Sequence, residues 1–298
     1  MNNLEVFKDT QNLIKTNAIL MQQTQNAILD TKIYEEGFVS AKVPYYHSSH
    51  ITPQETLSLI PARAFAASGK KVAVLNFANP VEPGGGVLRG ANAQEEYLCR
   101  ASNLYYCLTS SQAKSWYDVH NAILKNNQFN SMFLATDRII YSKNVTVIKN
   151  DIGYQPDSML AFYQEYTDNW MKVDIITCAA PFFSGSGYIL PNGDLEQLFI
   201  RRIKNIFEVA IENDVHALVL GAFGCGAFHN PPTIVAKAFQ KVLLMDRYLH
   251  SFEDVIFAIK RTGPFCENIE AFEIAFLQFP QTGDYVLSPE RNKRRFFE

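Results

Sequence analysis

The sequence predicts an α/β domain with a mixed, largely parallel sheet that is covered by helices. Apolar runs typical of buried strands alternate along the chain with longer segments whose apolar residues recur at helical spacing. This alternation is the pattern of strands connected by helices. With 298 residues, of which 47% are hydrophobic, the chain can bury one large core rather than two small ones. We therefore expect one main domain with an N-terminal extension.

The periodicity of apolar residues gives the elements in order. Residues 10–30 have helical spacing, and we assign residues 1–60 to an N-terminal helical extension. A helix is expected at Pro53–Ala67, before a buried strand within Lys71–Pro80. The main domain, residues 61–289, has further predicted strands and helices: strands Val145–Ile148, Val173–Cys178, Ala217–Phe223 and Val255–Ile259, and helices Asp194–Glu212 and Pro231–Leu249. Residues 290–298 form a basic tail, for which we expect a solvated role.

Composition and charge exclude several classes of protein. The 27 basic and 30 acidic residues give a net charge of -3, so nothing in the overall charge favours nucleic-acid binding. No apolar stretch reaches the roughly 18 to 20 residues of a membrane helix, and the N-terminus lacks a secretory signal pattern. The five cysteines contain no Cys-x-x-Cys pair, which indicates reduced thiols. We expect a soluble intracellular protein, with the cytoplasm as its compartment.

The segment Pro83–Glu96 is the most informative part of the chain for function. A turn of three glycines, Gly84 to Gly86, is followed within one loop by Gln94, Glu95 and Glu96. Glycines let a backbone approach a ligand closely, and ligands of parallel sheets bind beyond the carboxyl ends of strands. A simple chain reversal is the alternative, but the carboxylates and the preceding strand favour a catalytic loop.

A second loop, Gly221–Phe228, follows an apolar strand and precedes two prolines suited to the start of a helix. Small residues in that position offer clustered backbone N–H groups to a phosphate. The loop contains no lysine and does not fit the Gly-x-Gly-x-x-Gly spacing, so neither a Walker loop nor a dinucleotide fingerprint is indicated. A tight strand-to-helix connection is the alternative interpretation.

Glu95 and Glu96 need separate roles because consecutive side chains diverge on a helix or a strand. Ordinary glycosidases place two carboxylates on opposite sides of the scissile bond, roughly 5 to 9.5 Å apart. The adjacent pair therefore indicates one catalytic acid and one carboxylate that orients the ligand. The alternative is a pair of surface glutamates at a helix N-terminus, where acidic side chains are favoured.

These motifs resemble the poly(ADP-ribose) glycohydrolases, most closely the bacterial-type branch. The similarity lies in the glycine turn with its seven-residue spacer to Gln94-Glu95-Glu96, in the strand Val74–Asn79 and in the loop Gly221–Phe228. It implies a macrodomain-like, three-layer α/β/α fold and hydrolysis of ribose-ribose O-glycosidic bonds in poly(ADP-ribose), with release of ADP-ribose. It also implies that Glu96 is the general acid/base, that Glu95 orients ribose hydroxyls and that Phe228 packs on the ribose beside the scissile bond.

The resemblance also implies the substrate-binding residues. These are Asn79, Gly84, Gly85, Gly86, Val87, Gln94, Gly224, Cys225, Gly226, Ala227 and Phe228. We expect the diphosphate to lie against Gly224–Phe228 and the glycine turn, Asn79 to fix ribose hydroxyls and Gln94 to fix Glu95. No metal or other cofactor is expected.

The expected substrates are poly(ADP-ribose) and ADP-ribosylated proteins, with ADP-ribose as the product. Two alternatives remain open. One is removal of a single ADP-ribose from protein or nucleic acid, and the other is a non-catalytic module that binds ADP-ribose. The intact Glu95 and Glu96 argue against the binding module.

Overall fold

The computed structural model describes residues 2–46, 49–126, 132–133, 135–152, 163–183 and 192–277. The expected basic tail at 290–298 lies outside the described residues. In chain order the elements are α1 (Asn3–Thr16), α2 (Ala18–Leu29), β1 (Lys32–Tyr34), β2 (His50–Glu55), α3 (Leu59–Ala67), β3 (Val72–Phe77), α4 (Gln94–Ala101), α5 (Leu104–Leu108), α6 (Lys114–Asn126), β4 (Met132–Phe133), β5 (Ile139–Ile152), β6 (Tyr163–Cys178), β7 (Phe182–Phe183), α7 (Asn192–Glu212), β8 (Ala217–Leu220), α8 (Pro232–Leu243), β9 (Asp254–Ile259) and α9 (Glu267–Phe276). A short 3-10 turn occupies Val87–Arg89.

Seven of the strands form one sheet in the order β1-β5-β6-β3-β8-β9-β2. The strands from β6 to β2 pair in parallel, whereas β5 is antiparallel to both of its neighbours. The prediction of a mixed, largely parallel sheet is therefore confirmed. β4 and β7 pair separately with each other.

Strand β3 lies at the centre of the sheet, and its side chains alternate between two cores. Ala73 and Leu75 join a cluster with residues of α7, α8 and α9, whereas Val72 and Val74 join a cluster with residues of α3, α4, α5 and α6. Because successive side chains of a strand point to opposite faces, helices must cover both faces of the sheet. The expected three-layer α/β/α arrangement is thus confirmed, and it explains why the strand is apolar at every position except Asn76.

The helix expected at Pro53–Ala67 is wrong in its first half. His50–Glu55 is an edge strand that pairs in parallel with β9, and the helix begins at Leu59. Proline is tolerated in an edge strand because its missing N–H costs no hydrogen bond on the open side.

Four further elements differ from the prediction in where they begin or end. The strand expected at Val145–Ile148 lies within β5, which extends over 14 residues, and the one expected at Val173–Cys178 is the C-terminal part of β6, which extends over 16. The strand expected at Ala217–Phe223 ends at Leu220, and the helix expected at Pro231–Leu249 ends at Leu243.

The helical part of the N-terminal region ends at Leu29, and the two strands that follow join opposite edges of the central sheet. Helix α1 begins with a capping box between Asn2 and Glu5. Asn17 separates the two helices and accepts a hydrogen bond from the third residue of α2. Among the described residues, no helix is long and apolar enough to cross a membrane.

Candidate active site

A cavity of about 360 Å³ lies at the carboxyl ends of β3, β8 and β9. This is the edge at which ligands bind in parallel sheets, and the volume suits a small molecule. Three chain segments supply most of the lining: the exit of β3 and the start of α4 (Phe77, Asn79, Asn92 to Tyr97), the loop after β8 (Ala222 to Gly224 and Gly226 to Phe228), and the exit of β9 (Ala258 to Lys260 and Thr262).

Glu96 is fixed at the start of α4 by two backbone N–H groups. Its Oε2 accepts a hydrogen bond of 3.0 Å from the N–H of Ala93, the residue that precedes the helix. Its Oε1 accepts one of 2.7 Å from the N–H of Gly86. The side chain is 6% exposed, yet it belongs to the lining of the cavity. The carboxylate is thus held in one orientation at the edge of the cavity.

Glu95 is held by a different set of donors. Its Oε2 accepts a 2.8 Å hydrogen bond from the N–H of Asn79, and its Oε1 lies 3.3 Å from the side-chain nitrogen of Asn76. Burial raises the pKa of Glu95 to about 8, with the neighbouring Glu96 contributing in the same direction and the N–H donors opposing it. At neutral pH this carboxyl is therefore mainly protonated.

The glycine turn lies against the two carboxylates. Gly84 and Gly85 have φ angles of 71° and 58°, a conformation that glycine adopts without steric cost. A Cβ on Gly84 would stand 2.8 Å from the ring of Tyr105. The lining of the cavity does not include Gly84, Gly85, Gly86 or Val87, and the Val87 side chain is packed in a core. The turn therefore supports Glu96 from behind.

The loop after β8 has the small residues that the sequence indicated. The positive φ angle, 75°, belongs to Gly224, where a Cβ would collide with Ala180 and Asn230. A Cβ on Gly226 would meet no atom within 4 Å, so this residue borders open space. Gly224, Gly226, Ala227 and Phe228 line the cavity. Cys225 does not, and burial raises the pKa of its thiol.

The structure does not bear out the expected contact between Gln94 and Glu95. The Gln94 amide instead donates to the carbonyl of Leu75 at 2.8 Å and accepts from the N–H of Phe77 at 3.0 Å. Neighbouring residues of a helix diverge by about 100°, which directs Gln94 to β3 and away from Glu95. The Asn79 side-chain oxygen accepts from two N–H groups of the next turn, those of Val81 and Glu82.

Two asparagines that the sequence analysis missed organise the site. Asn76 is fully buried and contacts Glu95 and Thr177 through its side-chain nitrogen. Asn230 is also buried, and its side-chain nitrogen donates to the carbonyls of Pro181 and Gly224 at 2.8 and 2.9 Å. A signal existed for Asn76, because it is the one amide in an otherwise apolar buried strand.

Comparisons with known proteins point to one family of enzymes. Residues 3–150 match the family described as microbial-type PARG, catalytic domain. The poly(ADP-ribose) glycohydrolase of Thermomonospora curvata is 27% identical, with a TM-score of 0.78 over 92% of this chain and 99% of that one. The same enzyme bound to the inhibitor ADP-HPD gives a TM-score of 0.76.

The glycohydrolase of Deinococcus radiodurans in complex with ADP-ribose is 27% identical, with a TM-score of 0.70 over 85% of this chain and 96% of that one. No curated protein matches the chain significantly in sequence. The structural agreement extends well beyond residue 150 and so includes the part of the chain that carries the loop after β8. It also confirms the expected macrodomain-like fold.

Proposed function

Since the chain belongs to the microbial-type poly(ADP-ribose) glycohydrolases, we propose that it hydrolyses ribose-ribose O-glycosidic bonds in poly(ADP-ribose) and releases ADP-ribose. The observation that carries this proposal is the pair of differently held carboxylates, Glu95 and Glu96, on one cavity with a loop of small residues. The related enzymes were solved with ADP-ribose or ADP-HPD bound, which supports an ADP-ribose unit as the ligand.

In this proposal the diphosphate lies against the loop from Gly224 to Phe228. The open space beside Gly226 lets phosphate oxygens approach the backbone. The ring of Phe228 lines the cavity and is supported edge-on by Phe182, at 5.3 Å between centroids. It is therefore available to pack on the ribose next to the scissile bond.

Glu96 is the proposed general acid and base. It protonates the departing 2'-oxygen, an oxocarbenium-like centre forms at the anomeric carbon, and Glu96 then takes a proton from the attacking water. Two backbone N–H groups hold the carboxylate, so it can keep one orientation through both proton transfers. The glycine turn contributes through Glu96, since Gly86 supplies one of those donors.

Glu95 is the proposed ligand for ribose hydroxyls. A carboxyl that keeps its proton at neutral pH can both donate and accept a hydrogen bond. Neighbouring hydroxyls of a sugar can use both, because each is also both donor and acceptor. The raised pKa of Glu95 therefore supports an orienting role separate from that of Glu96.

The test compares the wild type with Glu96→Gln in hydrolysis of defined polymer and in calorimetric titration of ADP-ribose. Polymer cleavage should fall by about 10² to 10⁴, the usual contribution of general acid-base catalysis, while ADP-ribose affinity changes little. Glu82→Gln is the matched control, because Glu82 lies in the same loop but pairs with Arg89 at the surface.

Near-normal hydrolysis by Glu96→Gln would contradict the role of Glu96. A wild-type protein that cleaves only mono-ADP-ribosylated substrates, or that binds ADP-ribose and cleaves nothing, would overturn the polymer activity.

A further inference from the structure

We propose that helix α1 is a positioning element for Glu96, and that Phe7 acts on the glycine turn through Tyr105. The inference rests on the proposed function for the role of Glu96. Its basis is a set of three contacts between α1 and the segment that carries the turn and the start of α4.

The first contact is a relay of rings behind the turn. Phe7 is 3% exposed, and its ring meets Tyr105 edge-on with centroids 5.1 Å apart. Tyr105 in turn lies so close to Gly84 that a Cβ there would stand 2.8 Å from the ring. Gly84 is two residues from Gly86, whose N–H holds Glu96. A shift of Phe7 is therefore transmitted through close contacts to the support of the carboxylate.

The second contact lies at the other end of the turn. The Asn3 side chain donates a 3.1 Å hydrogen bond to the carbonyl of Gly90, and Leu4 packs beside the same residue. Gly90 ends the 3-10 turn with a φ angle of 75°, and the next N–H, of Ala91, donates back to the carbonyl of Gly86. Asn3 thus fixes the point at which the loop closes on itself.

The third contact reaches α4 itself. The Thr10 hydroxyl donates to the carbonyl of Arg100 at 2.5 Å. The guanidinium of Arg100 donates to the carbonyl of Ala91 and the side chain of Asn92, both at 2.7 Å. Arg100 is one helical turn beyond Glu96, so hydrogen bonds connect α1, α4 and the loop that precedes α4.

Helix α1 can act as a brace because it is itself anchored to the sheet. Lys149 of β5 is 1% exposed and donates to the carbonyl of Val6 at 3.1 Å and to Asp9 at 2.6 Å. A buried amine with two fixed acceptors holds the helix in one place on the strand. The glycine turn, which has no side chains of its own to pack, takes its rigidity from this helix.

The experiment measures steady-state polymer hydrolysis, ADP-ribose affinity and amide hydrogen exchange at Gly86 for Phe7→Leu and Asn3→Ala. Ile14→Val is the matched control, since Ile14 is buried on the same helix but packs with Leu20 and Ile148, in a separate cluster. All variants are assayed at a temperature where each is folded.

Phe7→Leu should lower kcat by about tenfold or more, within the roughly 10²-fold that a misplacement of about 1 Å can cost. KM and ADP-ribose affinity should stay within about twofold of the wild type, because the loop after β8 is not touched. Exchange of the Gly86 amide should accelerate as its hydrogen bond to Glu96 weakens. Asn3→Ala should show the same pattern to a smaller extent, and Ile14→Val should show neither change.

Wild-type kcat and Gly86 exchange in both Phe7→Leu and Asn3→Ala would overturn the proposal, as would an equal loss in Ile14→Val. If the wild type does not cleave the polymer, the proposed function fails. Exchange at Gly86 then still decides whether α1 positions the turn.

Discussion

Gly85 lies so close to Glu96 that a Cβ on Gly85 would stand 2.5 Å from Glu96 Oε1. The same oxygen accepts the 2.7 Å hydrogen bond from Gly86. Glu96 can therefore accept the hydrogen bond from Gly86 only because Gly85, the residue before it, has no side chain. Support of Glu96 thus explains why the turn consists of glycines. The sequence pattern alone also allowed a different explanation, contact with a phosphate.

Gly85→Ala should reduce turnover strongly and stability only modestly. The added Cβ pushes Glu96 away from its donors, and a displacement of this kind can cost about 10²-fold in rate. The left-handed backbone adds strain of about 1 to 2 kcal/mol. Gly37→Ala is the control, since Gly37 has a similar φ of 71° but a Cβ there would meet no atom within 4 Å. Equal kcat values for the two variants would contradict a role of Gly85 beside Glu96.

The strands of the central sheet were predictable where burial on both faces leaves almost only apolar residues, as in β3. The C-terminal end of β5 and the N-terminal part of β6 were not, because their residues are mostly polar and their pairing depends on the partner strand. Strand β2 was missed for a related reason: Pro53 suits the first turn of a helix locally, whereas pairing with β9 is a long-range effect.

The site shows the same division between local and long-range information. Glu95, Glu96 and the glycine turn are contiguous in sequence, so their proximity could be inferred from one motif. The Asn76 side chain donates a hydrogen bond to Thr177, 101 residues away, and the Asn230 side chain donates one to Pro181, 49 residues away. No local pattern specifies such contacts, since they arise only when the sheet brings the carboxyl ends of its parallel strands to one edge.

Gly226→Val should weaken ADP-ribose binding at least about tenfold, which corresponds to about 1.4 kcal/mol. The side chain would occupy the open space on the cavity wall where phosphate oxygens are expected. Stability should change little, because no neighbouring atom is displaced. The control is Gly193→Val at an exposed position of α7 that is equally open. Calorimetric titration is the measurement, and unchanged affinity in folded Gly226→Val would remove this loop from the binding site.

Polymer hydrolysis should continue in excess EDTA. Both oxygens of Glu96 accept backbone hydrogen bonds, and those of Glu95 face Asn76 and Asn79, so the carboxylates are oriented by N–H donors rather than arranged to share a cation. In the part of the chain that the structure describes, no group of three or more His, Cys, Asp or Glu side chains could hold a metal ion. Loss of activity on chelation, with recovery on addition of magnesium or zinc, would refute the proposed mechanism.

The pKa of Glu95 should make folding stability fall as pH rises. The ordinary value is 4.5, and burial raises the pKa to about 8 in the folded protein. Between these values the folded state holds a proton that the unfolded chain has released, so the free energy of unfolding decreases with pH. Below this window both states are protonated and above it both are ionised, so Glu95 adds no slope there.

Each pH unit inside the window should therefore cost up to about 1.4 kcal/mol of unfolding free energy. The side chain of Glu95→Gln is neutral at every pH, so this variant should lack the slope. Chemical denaturation across the window should show the free energy of unfolding of the variant rising relative to that of the wild type as pH increases. Glu82→Gln serves as the control, because hydrogen bonds from Arg89 lower the pKa of Glu82 and give a contribution of opposite sign. Parallel stability curves for the wild type and Glu95→Gln would mean that Glu95 is ionised in the folded protein, and the separate hydrogen-bonding role proposed for its proton would then be wrong.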